Sequence, residues 1–170
     1  MIVILKSVIM YIFFTSLFSS ILKLFSFNYF VSNTNKLTAF KFNRIILTFS
    51  LLIFLLSELI VPIHSLLTLE ITTYHIALIL FLHLTATIML IPVVIQKSEA
   101  SYHCGCYGNY FKEEVGWNKI IENVLSIIVL TMGFYLGSII VSWLEISVAL
   151  SLLLIKFLKL SYNNTKEMAW

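Results

Sequence analysis

Charge is scarce in this chain. Only 11% of its 170 residues are Asp, Glu, Lys or Arg, against roughly a quarter in soluble domains, which excludes an ordinary water-soluble fold. Glycine and proline number five and two, so there is little material for turns and most of the chain must be regular structure. Cysteine occurs twice, too few for a disulfide framework, a four-thiolate zinc site or an iron–sulfur cluster built by this chain alone. No basic patch interleaved with aromatics is present, and a formal charge of +3 carries no nucleic-acid signal.

Apolar side chains are abundant: 60% of the residues are hydrophobic and the mean hydropathy is +1.00. A membrane barrel would alternate polar and apolar positions. Here the apolar residues come in blocks, such as Ile45 to Leu56 and Leu125 to Leu130. In lipid the backbone must satisfy its own hydrogen bonds, and such blocks do so as helices. The expected fold class is all-α, an integral-membrane helical bundle in the cell membrane, with the lipid bilayer as its solvent.

A spanning helix needs about 20 mostly apolar residues. The first candidate runs from Ile2 to Phe27, with Lys6 and Lys23 near its ends. It lacks a basic segment ahead of its apolar run and a small-x-small cleavage site, so it is expected to be retained. The second runs from Ile45 to Ile63, ending at Pro62, and the third from Thr73 to Ile95. The apolar block from Lys119 to Leu160 would reach about 63 Å as one helix, roughly double the hydrocarbon core. It must fold back, between Gly137-Ser138 and Glu145, with Trp143 at the interface. That makes five spans in a single domain over residues 1–160, then a loose polar tail over 161–170.

Residues 97–118 form the one long polar connection, and it contains His103, Cys104, Gly105 and Cys106. Two thiols separated by one residue can close a small, strained ring, and strained exposed disulfides are the labile or catalytic ones. Gly105 permits the bend, and a protonated His103 would favour a thiolate at Cys104. These residues suit thiol–disulfide exchange. Two other readings stay open. The thiolates and His103 could hold a soft metal such as Cu(I), although no fourth ligand lies nearby in the loop, or the thiols could be a structural staple or inert. With five spans, ten of the eleven basic residues fall on the same side as this loop and Lys6 on the other, which predicts a cytoplasmic thiol loop.

The stretch His103-Cys104-Gly105-Cys106-Tyr107-Gly108, followed by Gly116-Trp117 and Asn123, resembles the MauE/DoxX family of redox-associated membrane proteins. Their signature is Cys-x-Cys-Phe-Gly between the third and fourth helices, then a Gly-Trp step and an Arg-Asn pair. Lys23-Leu24 and Glu58 are also similar to family positions, and the resemblance covers residues 8–136, which makes four of the spans family-like. Tyr107 replaces the usual phenylalanine, and Glu122 stands where the family tends to have arginine, reversing a charge near the thiols. The resemblance implies a membrane thiol–disulfide oxidoreductase or redox accessory protein, with Cys104 and Cys106 as the exchanging pair and His103, Gly105, Tyr107, Gly108 and Asn123 in support. It implies a thioredoxin-like partner or a disulfide-containing client, since MauE is associated with maturing a disulfide-rich enzyme subunit. A function from another class, a bacteriocin-immunity or scaffold subunit with structural or metal-binding thiols, would need the same apolar composition.

Ionisable groups within spans are functional candidates. For Glu58 the structural expectation is an ion pair with Lys6. For His83 it is a hydrogen bond to a Ser or Thr on a neighbouring helix, the functional one a proton relay or quinone contact. No cofactor is identified, and nothing in the sequence singles out a quinone site. His64 and His75 are expected to face water at the opposite interface.

Overall fold

The computed structural model describes residues 2–37, 43–96, 107–111 and 116–167. In chain order its elements are α1 (Ile2–Phe25), α2 (Phe27–Leu37), α3 (Arg44–Thr68), β1 (Glu70–Ile71), α4 (Thr73–Gln96), α5 (Trp117–Leu136), β2 (Ile139–Ile140) and α6 (Trp143–Glu167). Four of these helices, α1, α3, α4 and α5, are long and apolar enough to cross a membrane. The all-α membrane bundle is therefore what the chain forms. α6 carries Glu145, Lys156 and Lys159 in its apolar stretch and lies along α1. Phe18 and Phe157 stack with centroids 4.0 Å apart, and Ile146 and Ala149 share the core of Ile9 and Phe13. The fifth long helix thus belongs to the bundle, and it continues to Glu167 through residues expected to form a loose tail.

Two boundaries differ from expectation. α1 ends at Phe25, close to the expected boundary at Phe27, but the chain does not leave the helix there. Only Ser26 interrupts it, and the bonds Ser26 N–H to Leu22 O (3.2 Å) and Phe30 N–H to Ser26 O (3.0 Å) bridge the break. α1 and α2 are in effect one long bent rod. The polar residues of α2 mask its apolar face, where Phe30 and Val31 pack on Leu47, Leu51 and Leu55 of α3. α3 likewise does not end at Pro62. Proline removes one helical hydrogen bond, a loss that membrane helices tolerate when buried in protein, and Pro62 is fully buried. The helix runs to Thr68 and ends on Leu69 in the left-handed region (φ 53°).

The turn expected after Gly137 is present, and it contributes the short β2. Antiparallel pairing of Glu70 with Ile140 and Ile71 with Ile139 ties the α3–α4 connection to the α5–α6 connection. Lys6 Nζ donates to Ile140 O at 3.1 Å, closing that end of the bundle. The main core lies just inside it, built on Ile9, Phe13, Ile76, Ile79 and Leu130. Three helices approach closely at Gly133, where an added Cβ would meet Ile9 Cδ1 at 2.7 Å and Ile76 Cδ1 at 3.5 Å. Small residues at such crossings let membrane helices pack by van der Waals contact. Ile53, Phe81, Ile88 and Leu154 point outward, as a lipid-facing surface should.

Gly133→Val should therefore destabilise the detergent-solubilised protein by about 1–3 kcal/mol, the usual cost of overpacking. Gly116→Ala should be near neutral, because Gly116 has extended backbone (φ −150°) and nothing within 4 Å of the added carbon. Equal melting temperatures for the two variants would contradict the α1–α4–α5 contact.

Candidate functional site

Cys104, Cys106, His103 and Gly105 lie outside the described residues. The chain that leaves the thiols is described, and it is anchored deep in the bundle. Tyr107 is 1% exposed and bridges to Phe111 across a tight turn. Gly108 holds the turn with φ +62°, and an added Cβ there would overlap Ser26 Oγ and come within 2.8 Å of Leu22 O. No other residue fits. Asn109 N–H donates to Ser26 Oγ at 3.2 Å, so the turn docks on the bend between α1 and α2.

Tyr107 sits among charges. The ammonium groups of Lys119 and Lys156 each lie 5.7 Å from its ring centroid, within cation–π range. Phe157 meets the ring edge-on at 6.0 Å. Glu122 pairs with Lys119 at 2.9 Å and also with Lys156. The acidic residue where the family tends to have arginine is thus neutralised twice over, and the cluster carries one net positive charge. Lys119 and Glu122, three apart on α5, were a readable pair. Lys156 had no sequence signal to join them.

Glu58 does not pair with Lys6. It accepts from Lys23 at 2.9 Å, with both side chains buried. Because α1 continues as α2, Lys23 lies inside the α1–α2 rod beside the middle of α3, while Lys6 is occupied at the β-paired end. The Lys23 ammonium also lies 5.3 Å and 5.7 Å from the ring centroids of Phe30 and Phe54. His83 bonds its own helix, not a neighbouring hydroxyl: Nδ1 is 3.0 Å from Ile79 O. His64 is exposed as expected. His75 is not simply hydrated; its Nδ1 lies 3.2 Å from both Ser65 Oγ and Thr72 N, and its ring stacks 4.9 Å from that of His64.

These groups converge on one cavity of about 380 Å³, with Lys23, Glu58, His83, Tyr107, Glu122 and Asn123 in its wall. Both intramembrane candidates from the sequence, Glu58 and His83, therefore share a chamber with the residue that follows Cys106. Among the described residues no three His, Cys, Asp or Glu side chains group to hold a metal ion.

Removing one member of the Lys23–Glu58 pair leaves a buried charge alone, which costs about 3–5 kcal/mol. Lys23→Ala or Glu58→Ala should each lower stability by that order, whereas Lys23→Met with Glu58→Leu should recover most of it. Denaturant or thermal melts of the three variants check this. A double variant as unstable as the sum of the singles would mean that the pair is not coupled.

A sequence model of the family described as methylamine utilisation protein MauE matches residues 1–136. No curated protein and no solved structure matches the chain. The match supports the MauE part of the sequence resemblance, while nothing in these comparisons supports the DoxX part. It takes in α1 to α5, the polar connection and Tyr107, and leaves α6 with Lys156 outside. With 136 of its 170 residues matched and four membrane-spanning helices in place, this chain belongs to the MauE family of multi-pass membrane proteins.

Proposed function

We propose that the protein is a membrane thiol–disulfide oxidoreductase, exchanging electrons through Cys104 and Cys106 with a thioredoxin-like protein or a disulfide-containing client. The observation that carries this reading is the seat of Tyr107. Chain connectivity ties Cys106 to a buried residue flanked by two lysines, and nearby cations favour the thiolate that attacks disulfides. Exchange runs through a mixed disulfide. One thiolate attacks a sulfur of the partner's disulfide and expels the other as thiolate. The second cysteine then attacks the mixed bond, leaving Cys104–Cys106 oxidised and the partner a dithiol; the reverse sequence reduces the pair. The chain has no further cysteine to act as an internal relay, so an external dithiol protein completes the circuit.

Purifying Cys104→Ser and Cys106→Ser from native membranes without reductant tests the reading. The variant lacking the resolving thiol should carry a covalent adduct on non-reducing gels that dithiothreitol releases, and both variants should lose function while remaining in the membrane. The wild-type pair should have a midpoint potential above about −300 mV, as labile disulfides do. If neither variant traps a protein and a copper or zinc ion survives purification, the metal-binding alternative takes its place.

The thiol loop faces the cytoplasm in this proposal, at the plasma membrane. Lys36, Arg44, Lys119 and Lys159 all lie towards the Tyr107 end of the bundle, and Lys6 marks the other. A membrane-impermeant maleimide should therefore leave Cys104 and Cys106 unlabelled in intact cells after mild reduction and label them in inverted vesicles. Labelling in intact cells would reverse the orientation.

A further inference from the structure

The cavity wall holds more polar groups than the bundle satisfies. Ser16 on α1 and Asn123 on α5 are buried to 6% and 9% exposure, both face the cavity, and neither side chain has a hydrogen-bond partner among the described residues. His83 adds a third open group. Its Nδ1 meets a carbonyl, which can only accept, so Nδ1 carries the proton and Nε2 of the neutral ring is left as an acceptor. Contacts of Ile76 with Gly133 and of Leu90 with Ile120 set the antiparallel register of α4 and α5. That register puts Ser126 level with His83, and Asn123 one turn away, level with Ala86. Unsatisfied groups inside a membrane helix bundle are costly, and three around one chamber ask for a polar guest.

The chemistry of the wall narrows the guest. The three unpartnered groups, Ser16, His83 and Asn123, are neutral, and each nearby ammonium has a carboxylate partner, Lys23 with Glu58 and Lys119 and Lys156 sharing Glu122. Neutral donors and acceptors at that level suit an uncharged hydrogen-bonding head. Leu51, Phe54, Leu82 and Leu90 give the wall its apolar surface, with hydroxyl side chains such as Thr15, Ser50 and Ser126 among them. Ser50 on α3 and Met89 on α4 are exposed at the rim, so the chamber opens sideways between two spanning helices, towards lipid. A volume of about 380 Å³ is in the range of small-ligand sites. A guest with a compact uncharged head, carbonyl acceptors and a hydrocarbon tail meets each condition.

We propose that this cavity binds an isoprenoid quinone and that the quinone is the electron acceptor for the thiol pair, an inference that rests on the thiol-exchange reading above. Asn123 Nδ2 and the Ser16 hydroxyl donate to the quinone carbonyls. After reduction, His83 Nε2 and Asn123 Oδ1 accept from the quinol hydroxyls, so the same three residues serve both oxidation states. The balance is two electrons and two protons. The Cys104 and Cys106 thiols lose them as the S–S bond forms, and two C=O groups gain them to become two C–OH groups. Tyr107, the residue that follows Cys106 in the chain, lines the same chamber.

Binding is tested apart from turnover. The wild-type protein in lipid nanodiscs is titrated with heptyl-hydroxyquinoline N-oxide, a fluorescent quinol analogue, and then with a short-chain ubiquinone as competitor. Saturable quenching, reversed by the quinone, is expected. Asn123→Leu should weaken binding about tenfold, roughly what one lost hydrogen-bonding group is worth, without lowering the melting temperature, because it removes a buried group that has no partner among the described residues. Ala86→Phe, which fills the chamber, should weaken binding at least as much, and Cys104→Ser should leave it unchanged. Absence of saturable binding, displacement by phospholipid but not by quinone, or equal affinity in wild type, Asn123→Leu and Ala86→Phe overturns the site. If the quinone binds yet leaves the cysteine pair reduced, its role as acceptor is overturned. If it oxidises the pair and no partner protein is ever trapped, the thioredoxin-exchange reading fails while this site stands.

Discussion

Lys23 and Glu58 face each other at 2.9 Å inside a region where lipid offers no hydrogen bond. Neither could be carried there alone as a charge, so α1 must lie against α3 in the one register that brings them together. Much of the thiol end of the bundle follows from that register. The α1 rod bends at Ser26, three residues beyond Lys23, and Ser26 Oγ is where Asn109 docks. The turn that leaves the thiol loop is therefore indexed to the buried ion pair through a single helical turn of α1. Buried ion pairs are weak sources of stability and better suited to fixing geometry, and here the geometry they fix is the exit from the cysteine loop.

The second charged cluster explains a departure in the motif. An acidic residue in place of arginine next to Asn123 would repel a thiolate if it stood alone. Glu122 instead draws Lys119 and Lys156 together beside Tyr107, so the cluster remains positive by one charge. The compensating lysine comes from α6, beyond the part of the chain that matches the MauE family. Through Lys156, α6 takes part in the cluster beside Tyr107 as well as in the packing.

The spans were legible because lipid imposes so strong a pattern. Blocks such as Ile45–Leu56 admit one interpretation, and the forced fold-back after Gly137 followed from length alone. What escaped was set by tertiary contact. α2 looks polar over Asn33 to Lys36, yet one apolar face on Leu47 and Leu51 suffices to keep it helical. Pro62 reads as a stop, but a stop signal only holds where the freed carbonyl has water to go to. The pairing of Glu58 with Lys6 was wrong because the partner depends on the register of α1 against α3, which the sequence does not reveal. Tyr107 and Asn123, picked out by motif, do line the chamber, while Gly108 packs on Ser26 and Leu22 instead. The thiols themselves, with His103 and Gly105, lie outside the described residues.

The two ends of the bundle are built to different standards. At the Lys6 end the connections are stitched by β1 and β2, His75 bridges Ser65 and Thr72, and Gly133 lets three helices touch. Towards the thiol end α3 turns to pack on α2 while α4 stays with α5, and the gap between them is the cavity. Serine, histidine and asparagine side chains face that gap although leucine would pack it at less cost. Ser16, His83 and Asn123 bring such groups to the cavity from three helices, beside the chain that leaves the thiols. Along the bundle axis the structure thus sets an end stitched by β1 and β2 against an end that holds the cavity.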